Sequence, residues 1–344
     1  MRGRHVDRSV SGYGGENNGS GASNHTSAGK EHMETEAFFR ASKILLVAGK
    51  GGVGKTTGAA ALAWSAAAVG LRVVLVEVDG TRGIASRFDA PALAYEPSEL
   101  HARTTGSLYG RRITPDDALL EYLADHGMKR LGGRLVSTGT LDVIATAAPG
   151  IKDILILGKL KQLVGTDAAD LLVLDTPASG HALSFLRSPK GLADTVRSGP
   201  IRRQADEVVA VLTDPALCQV VLVTLAEETP VSEVMETAYA LEEEVGVALG
   251  PVIVNALLAP VPDDPPGRFA ATLVTREADA LTAALSFERT RVDAQSHQRD
   301  RLRRELPLAQ IALPLLPVRH IGPTEIETLS THLVNGIRHL ADRA

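Results

Sequence analysis

The chain has 344 residues, enough for two or three average domains or one large α/β domain; 44% are apolar and 22% charged, the balance of a globular protein with a sizeable core. A formal charge of −5 argues against an electrostatic grip on nucleic acid or anionic lipid, so no nucleic-acid partner is expected. The single cysteine, Cys218, excludes an intrachain disulfide framework, an all-cysteine metal cage and an iron–sulfur cluster ligated by the cysteines of one chain.

Residues 1–36 are Gly, Ser, Asn and charged residues with little to bury, and they read as a disordered tail. Met33 is either the true start or part of a natural flexible extension. The N-terminus lacks the apolar segment of a secretory signal, and no apolar run reaches the length of about 18 residues that a membrane span needs. A cytoplasmic location is therefore expected.

From Lys43 the texture changes. Ile44-Leu45-Leu46-Val47-Ala48 is a short apolar run ending in glycines, as a buried strand does, and the Ala-rich run Thr56–Ala68, closed by Gly70, reads as a helix. Further buried strands are expected at Val73–Val76, Leu171–Leu174, Val220–Val223, Val252–Val254 and Ile311–Leu313. Helical patterns fill the gaps at Pro115–Asp125, Ile151–Leu163, Ile201–Leu212, Val231–Val245, a charged stretch near 268–305, and Thr324–Ala341. The segment from Ala259 to Gly267, rich in Pro and Asp, reads as a loop. Wholly apolar strands separated by helices imply a mostly parallel sheet covered by helices on both faces, an α/β fold. With no internal repeat, residues 37–344 are expected to form one domain, with peripheral helices near 115–165 and 268–305.

Between the first strand and its helix lies Gly49-Lys50-Gly51-Gly52-Val53-Gly54-Lys55-Thr56-Thr57, which satisfies the phosphate-loop pattern G-x-x-x-x-G-K-[ST]. Glycines let backbone N–H groups turn inward around phosphate oxygens, and the helix N-terminus adds its positive dipole end. Residues 49–57 are thus the candidate nucleotide site of a P-loop NTPase fold. Lys55 would reach the β- and γ-phosphates of ATP, and Thr56 would place its hydroxyl on Mg²⁺. Asp175, at the tip of strand Leu171–Leu174, sits where Mg²⁺ and its waters need a charge partner.

Lys50, directly after the first glycine, gives the loop a second lysine; in this the sequence resembles the signature-lysine class of P-loop ATPases. The run Asp175-Thr176-Pro177-Ala178-Ser179-Gly180-His181-Ala182-Leu183 resembles the switch II segment of the arsenical-pump ATPases and their relatives that deliver tail-anchored membrane proteins. Val76-Glu77-Val78-Asp79 resembles the family's switch I, and Ile113-Thr114-Pro115-Asp116 the segment after it. The likeness keeps one order from Lys43 to about His332, and within the family the chain looks most like the anion-transporting ATPase paralogues of high-GC actinobacteria. The resemblance implies that Lys50 crosses a dimer interface to touch the partner's nucleotide, and that Asp79 orients or deprotonates the attacking water. It also implies that Asn255, at the tip of strand Val252–Val254, reads the adenine edge. A solvated loop lysine, a turn aspartate and a strand-end turn residue are the plain alternatives for these three positions.

Departures from the family bear on function as well. Asp79 is followed by Gly80-Thr81-Arg82 where the family has Pro-Ala-His. Arsenite activation requires several thiolates, which Cys218 alone does not supply, and the zinc-binding Cys-x-x-Cys pair of the eukaryotic carriers is absent. Iron–sulfur relatives need more cysteines than the chain has, and DNA-partitioning relatives need a basic surface. The C-terminal segment places Ile326, Leu329, Leu333 and Ile337 at helical spacing with few cations, so it reads as a helix packed on the sheet and not as a membrane anchor. Ile151–Leu163, with Ile154-Leu155-Ile156-Leu157, fits either the wall of a client groove or an internal core helix. The function expected is Mg²⁺-dependent ATP hydrolysis driving a dimeric switch, homodimeric or paired with a paralogue, on a protein or membrane-protein client. The alternative is a weakly hydrolysing nucleotide-binding subunit paired with a catalytic paralogue.

Overall fold

The computed structural model describes residues 33–78, 83–100, 105–125, 127, 150–166, 168–177, 180–261 and 275–341. One eight-stranded sheet runs through them in the order β3-β4-β2-β5-β1-β6-β7-β8. Its strands are β1 (Ile44–Ala48), β2 (Arg72–Val78), β3 (Ser98–Glu99), β4 (Ser107–Ile113), β5 (Leu171–Asp175), β6 (Cys218–Leu225), β7 (Ala248–Leu257) and β8 (Gln310–Pro314). Every neighbouring pair is parallel except β3 with β4. The expected α/β fold is the observed one.

Helices cover both faces, because strands apolar on both sides must be shielded twice. On one face lie α1 (residues 33–40), α2 (Lys55–Ala68), the short α3 (Ile84–Arg87) and α10 (Pro323–Ala341). On the other lie α4 (Pro115–Asp125), α5 (Ile151–Val164), α6 (Gly180–Thr195), α7 (Pro200–Thr213), α8 (Glu228–Ala240) and the end of α9 (Thr275–Glu305). The alternation of each strand sorts its side chains between these layers: Leu45 and Val47 of β1 face α2, whereas Ile44, Leu46 and Ala48 face the opposite layer.

Helix α2 is buried on nearly all sides, between the sheet and α10, and its alanines let both approach closely. The fully buried Ser65 hydroxyl donates to the Ala61 carbonyl and meets Ser330 of α10 at 2.9 Å, so it is not stranded. Helix α10 buries Ile326, Leu329, Leu333 and Ile337 as its spacing requires.

The structure differs from the sequence reading in several elements, among them helices α3 and α6, to which the sequence reading assigned no helical pattern. Residues 33–36, read as tail, form helix α1 with 37–40 and bury Thr35 and Phe39 completely. The pattern read as one helix over Val231–Val245 begins at Glu228 and ends in a π-turn at Leu241–Val245. Strands β3 and β4 were not foreseen, because Gly110, Arg111 and Arg112 interrupt the apolar run. Tertiary contacts make that segment a strand: a Cβ at Gly110 would lie 2.9 Å from Leu100 and Leu93, and the Arg111 guanidinium lies 4.8 Å from the centre of the Tyr95 ring. Residues 1–32, including the rest of the expected tail, and 262–274 lie outside the described residues.

Helix α10 approaches the sheet closely at Gly336, where a Cβ would lie 2.6 Å from Ile311 Cγ2. Overpacking at such a contact costs about 1–3 kcal/mol. Gly336→Val should therefore lower unfolding stability by about 2 kcal/mol, read as a lower urea midpoint at unchanged slope.

Candidate active site

At the carboxyl end of β1 the chain passes through residues 49–54 into α2, the crevice where open parallel sheets bind ligands. Gly49 has φ 155°, and a Cβ there would sit 2.3 Å from the Val223 carbonyl oxygen of β6. Gly54 caps α2 at φ 93°, and a Cβ there would sit 2.2 Å from Asn255 Nδ2. Both positions need glycine, one for proximity to the neighbouring strand and the other for both shape and proximity. Gly51 and Gly52 are exposed, and Val53 is buried. The first turn of α2 holds no acidic residue, so its free N–H groups present an undiluted positive end to the loop.

Lys55, Thr56 and Thr57 open that helix. The Lys55 Nζ donates to the Lys50 carbonyl at 3.0 Å, folding the side chain back across the loop. Burial lowers its ammonium pKa from the ordinary value, and the carboxylate of Asp175 partly restores it. The Thr56 hydroxyl donates to Asp175 Oδ2 at 2.6 Å, joining the helix to the tip of β5. Asp175 is 1% exposed, and its Oδ1 is buried with no hydrogen-bond partner. Desolvation pushes its pKa up to about 6, with Glu77 adding to the rise and Thr56, Lys55 and Arg87 opposing it.

Lys55, Thr56 and Asp175 thus meet as expected. Lys50 stands at the rim, 3.7 Å from Glu233 of α8, a solvent-screened pair that holds it only weakly. The Asn255 side-chain amide donates to the Val53 carbonyl at 3.0 Å and so braces the phosphate loop from β7. Asp79 lies outside the described residues, as do Gly80, Thr81 and Arg82, and Ala178 and Ser179 of the switch II run. Cys218 is fully buried, and desolvation raises its thiol pKa, so it is a core residue and not a reactive thiol.

Two charged residues at the site were not singled out from the sequence. Glu77, at the end of β2, is opposite Asp175 in the ladder and 4% exposed. Arg87, on α3, interacts electrostatically with Asp175, and its Nε is buried with no hydrogen-bond partner. The isolated acid between Val76 and Val78 was the available signal for Glu77; Arg87 had none, because its proximity is created by the turn into α3.

A carboxylate with a pKa near 6 in the folded state, against about 3.9 unfolded, favours folding in its protonated form. That contribution is complete below about pH 4 and is lost as pH rises through 6, amounting to about 2–3 kcal/mol. Without nucleotide or metal, Asp175→Asn should therefore be more stable than the parent at pH 7.5, and the advantage should shrink towards pH 4. Paired urea titrations at the two pH values check this, since the other carboxylates cancel in the difference.

A model of the anion-transporting ATPase family matches residues 42–199. ATPase BagA of Mycobacterium tuberculosis is 36% identical over 240 residues, covering 67% of this chain and 69% of that protein. An arsenical pump-driving ATPase of Halobacterium salinarum is 28% identical over 236 residues, 63% of this chain and 36% of that protein. ATPase GET3 of Podospora anserina is 27% identical over 162 residues, 46% of each chain. The matches to the last two span less than half the length of those relatives.

Proposed function

This chain is an ATPase that belongs to the family of anion-transporting ATPases, and on that premise we propose that it is a Mg²⁺-dependent dimeric switch acting on a protein or membrane-associated partner. The observation that carries the nucleotide chemistry is the Thr56–Asp175 hydrogen bond beneath the phosphate loop, with the unpartnered Asp175 Oδ1 beside it. Mg²⁺ takes hard oxygen donors and keeps several waters, so a hydroxyl and a buried carboxylate fit it. Bound there, the metal would neutralise charge on the β- and γ-phosphates.

The remaining roles fall to the chain itself. The loop amides of residues 49–55 and the start of α2 hold the phosphates, and Lys55 exchanges the Lys50 carbonyl for phosphate oxygens. Asp79 orients the attacking water, and Lys50, lightly held at the rim, reaches the nucleotide of a second subunit. Asn255 braces the loop, and the family resemblance gives it the reading of the adenine edge. Among the described residues no helix is long and apolar enough to cross a membrane.

For the client we favour the apolar cavity of about 560 Å³ between α4, α5 and α7, lined by Leu119, Tyr122, Ile151, Leu155 and Ile201 among others. Helix α5 faces both ways. Ile156 and Leu157 turn into the core, and Ile154 and Leu155 line the cavity. A second reading, a weakly hydrolysing subunit of a pair with a catalytic paralogue, draws on the Gly80-Thr81-Arg82 sequence after Asp79. Turnover of the purified chain alone, and again with a paralogue, separates the two.

Lys50→Ala should keep ADP affinity and lose about a hundredfold or more in hydrolysis, the usual cost of removing one group that stabilises transition-state charge. Mixing it with Asp79→Asn chains should restore turnover, because the Lys50→Ala subunit keeps its own Asp79 and receives Lys50 from its partner. No gain over either variant alone, with mixed dimers verified by mass, would refute the action across subunits.

A further inference from the structure

Glu77 is a buried acid that the roles above do not use. In the ladder between β2 and β5 it is the register partner of Asp175, on strands about 4.8 Å apart. Both side chains project to the α2 side of the sheet, since Val73 and Leu75 of β2 and Leu171 and Val173 of β5 also face that layer. Glu77 Oε2 accepts the N–H groups of Gly83 at 3.3 Å and Ile84 at 3.4 Å. Gly83 in turn lies against Thr56, where a Cβ would come within 3.0 Å of its methyl group. Thr56, Asp175, Glu77 and the start of α3 therefore converge on one edge of the phosphate loop.

Two neighbouring carboxylates, each more than nine-tenths buried, are costly to keep. Accepting two backbone N–H groups does not require that charge, because a glutamine would accept them equally well. Nearby cations are Lys55 and Arg87, and phosphates would claim Lys55. The unpartnered Asp175 Oδ1 also points to a missing cationic or water partner at this edge. Resting on the ATP-site reading above, we propose that Glu77 is a positioning residue for magnesium: with Asp175 it makes the metal edge doubly anionic and holds the water shell of the cation. Mg²⁺ sites built from one or two carboxylates, retained waters and phosphate oxygens follow this pattern.

Glu77→Gln separates charge from structure, since the amide oxygen still accepts from Gly83 and Ile84. The measurement is the affinity for a fluorescent ADP, first in EDTA and then in a Mg²⁺ titration. The parent should bind in both, and more tightly with Mg²⁺. Glu77→Gln should need about tenfold more Mg²⁺ for half its effect, while binding in EDTA stays equal or tightens because a negative charge near the phosphates has gone. A Mg²⁺ requirement within about twofold of the parent overturns the proposal, as does equal weakening with and without metal, the mark of a merely structural role. Glu77→Ala, which admits water to the same N–H groups, is measured alongside, and either variant that folds decides. A parent that binds ADP without any Mg²⁺ effect refutes the proposal alone; a parent that binds no nucleotide brings down the ATP-site reading with it.

Discussion

The close approach of the phosphate loop to β6 is the constraint on which the site depends. Gly49 lies so near the Val223 carbonyl that no side chain fits, and this fixes where the chain leaves β1. From there α2 starts at Gly54, braced by Asn255 from β7, with its first turn beneath the loop. The apolar, Ala-rich body of α2, clamped between the sheet and α10, keeps that first turn from moving. A loop that must present several N–H groups to one anion gains from such rigidity, because the donors need no rearrangement when the anion arrives.

Charge at the site divides into two edges. Lys55 and the α2 N-terminus form the cationic edge, suited to phosphate oxygens. Asp175 and Glu77, brought side by side by the β2–β5 register, form the anionic edge. Burial above all, with Glu77 adding to it, makes Asp175 hold its proton more tightly than an exposed aspartate does. Stability is given up at the edge where we propose that a cation binds, a common cost of function.

Away from the nucleotide site the structure joins the helices around the α4–α5–α7 cavity to the sheet through polar contacts. Glu121 of α4 accepts from Lys159 of α5 at 2.6 Å and from the Tyr95 hydroxyl, and Tyr95 also stacks under Arg111 of β4. The cavity between α4, α5 and α7 thus has a wall tied to the strand next to β2. The connection is buried enough to be sensitive to shifts of β4 or of the chain at Tyr95.

The phosphate loop, the six apolar strand runs and the Asp175 tip were legible in the sequence, because glycine spacing, helix capping and all-apolar runs are local properties of the chain. The placing of Lys55 and Thr56 followed from the strand–loop–helix unit, whereas their meeting with Asp175 depends on β5 lying beside β1. Strand β4 was not legible, because Arg111 is buried against the ring of Tyr95, a residue outside the strand. Nor was the role of Glu77, since strand register, a long-range property, decides that it lies beside Asp175 and not beside a hydrophobe. The sequence by itself determined which groups are chemically competent; only the tertiary structure decided which of them share a face, because that depends on which strands become neighbours.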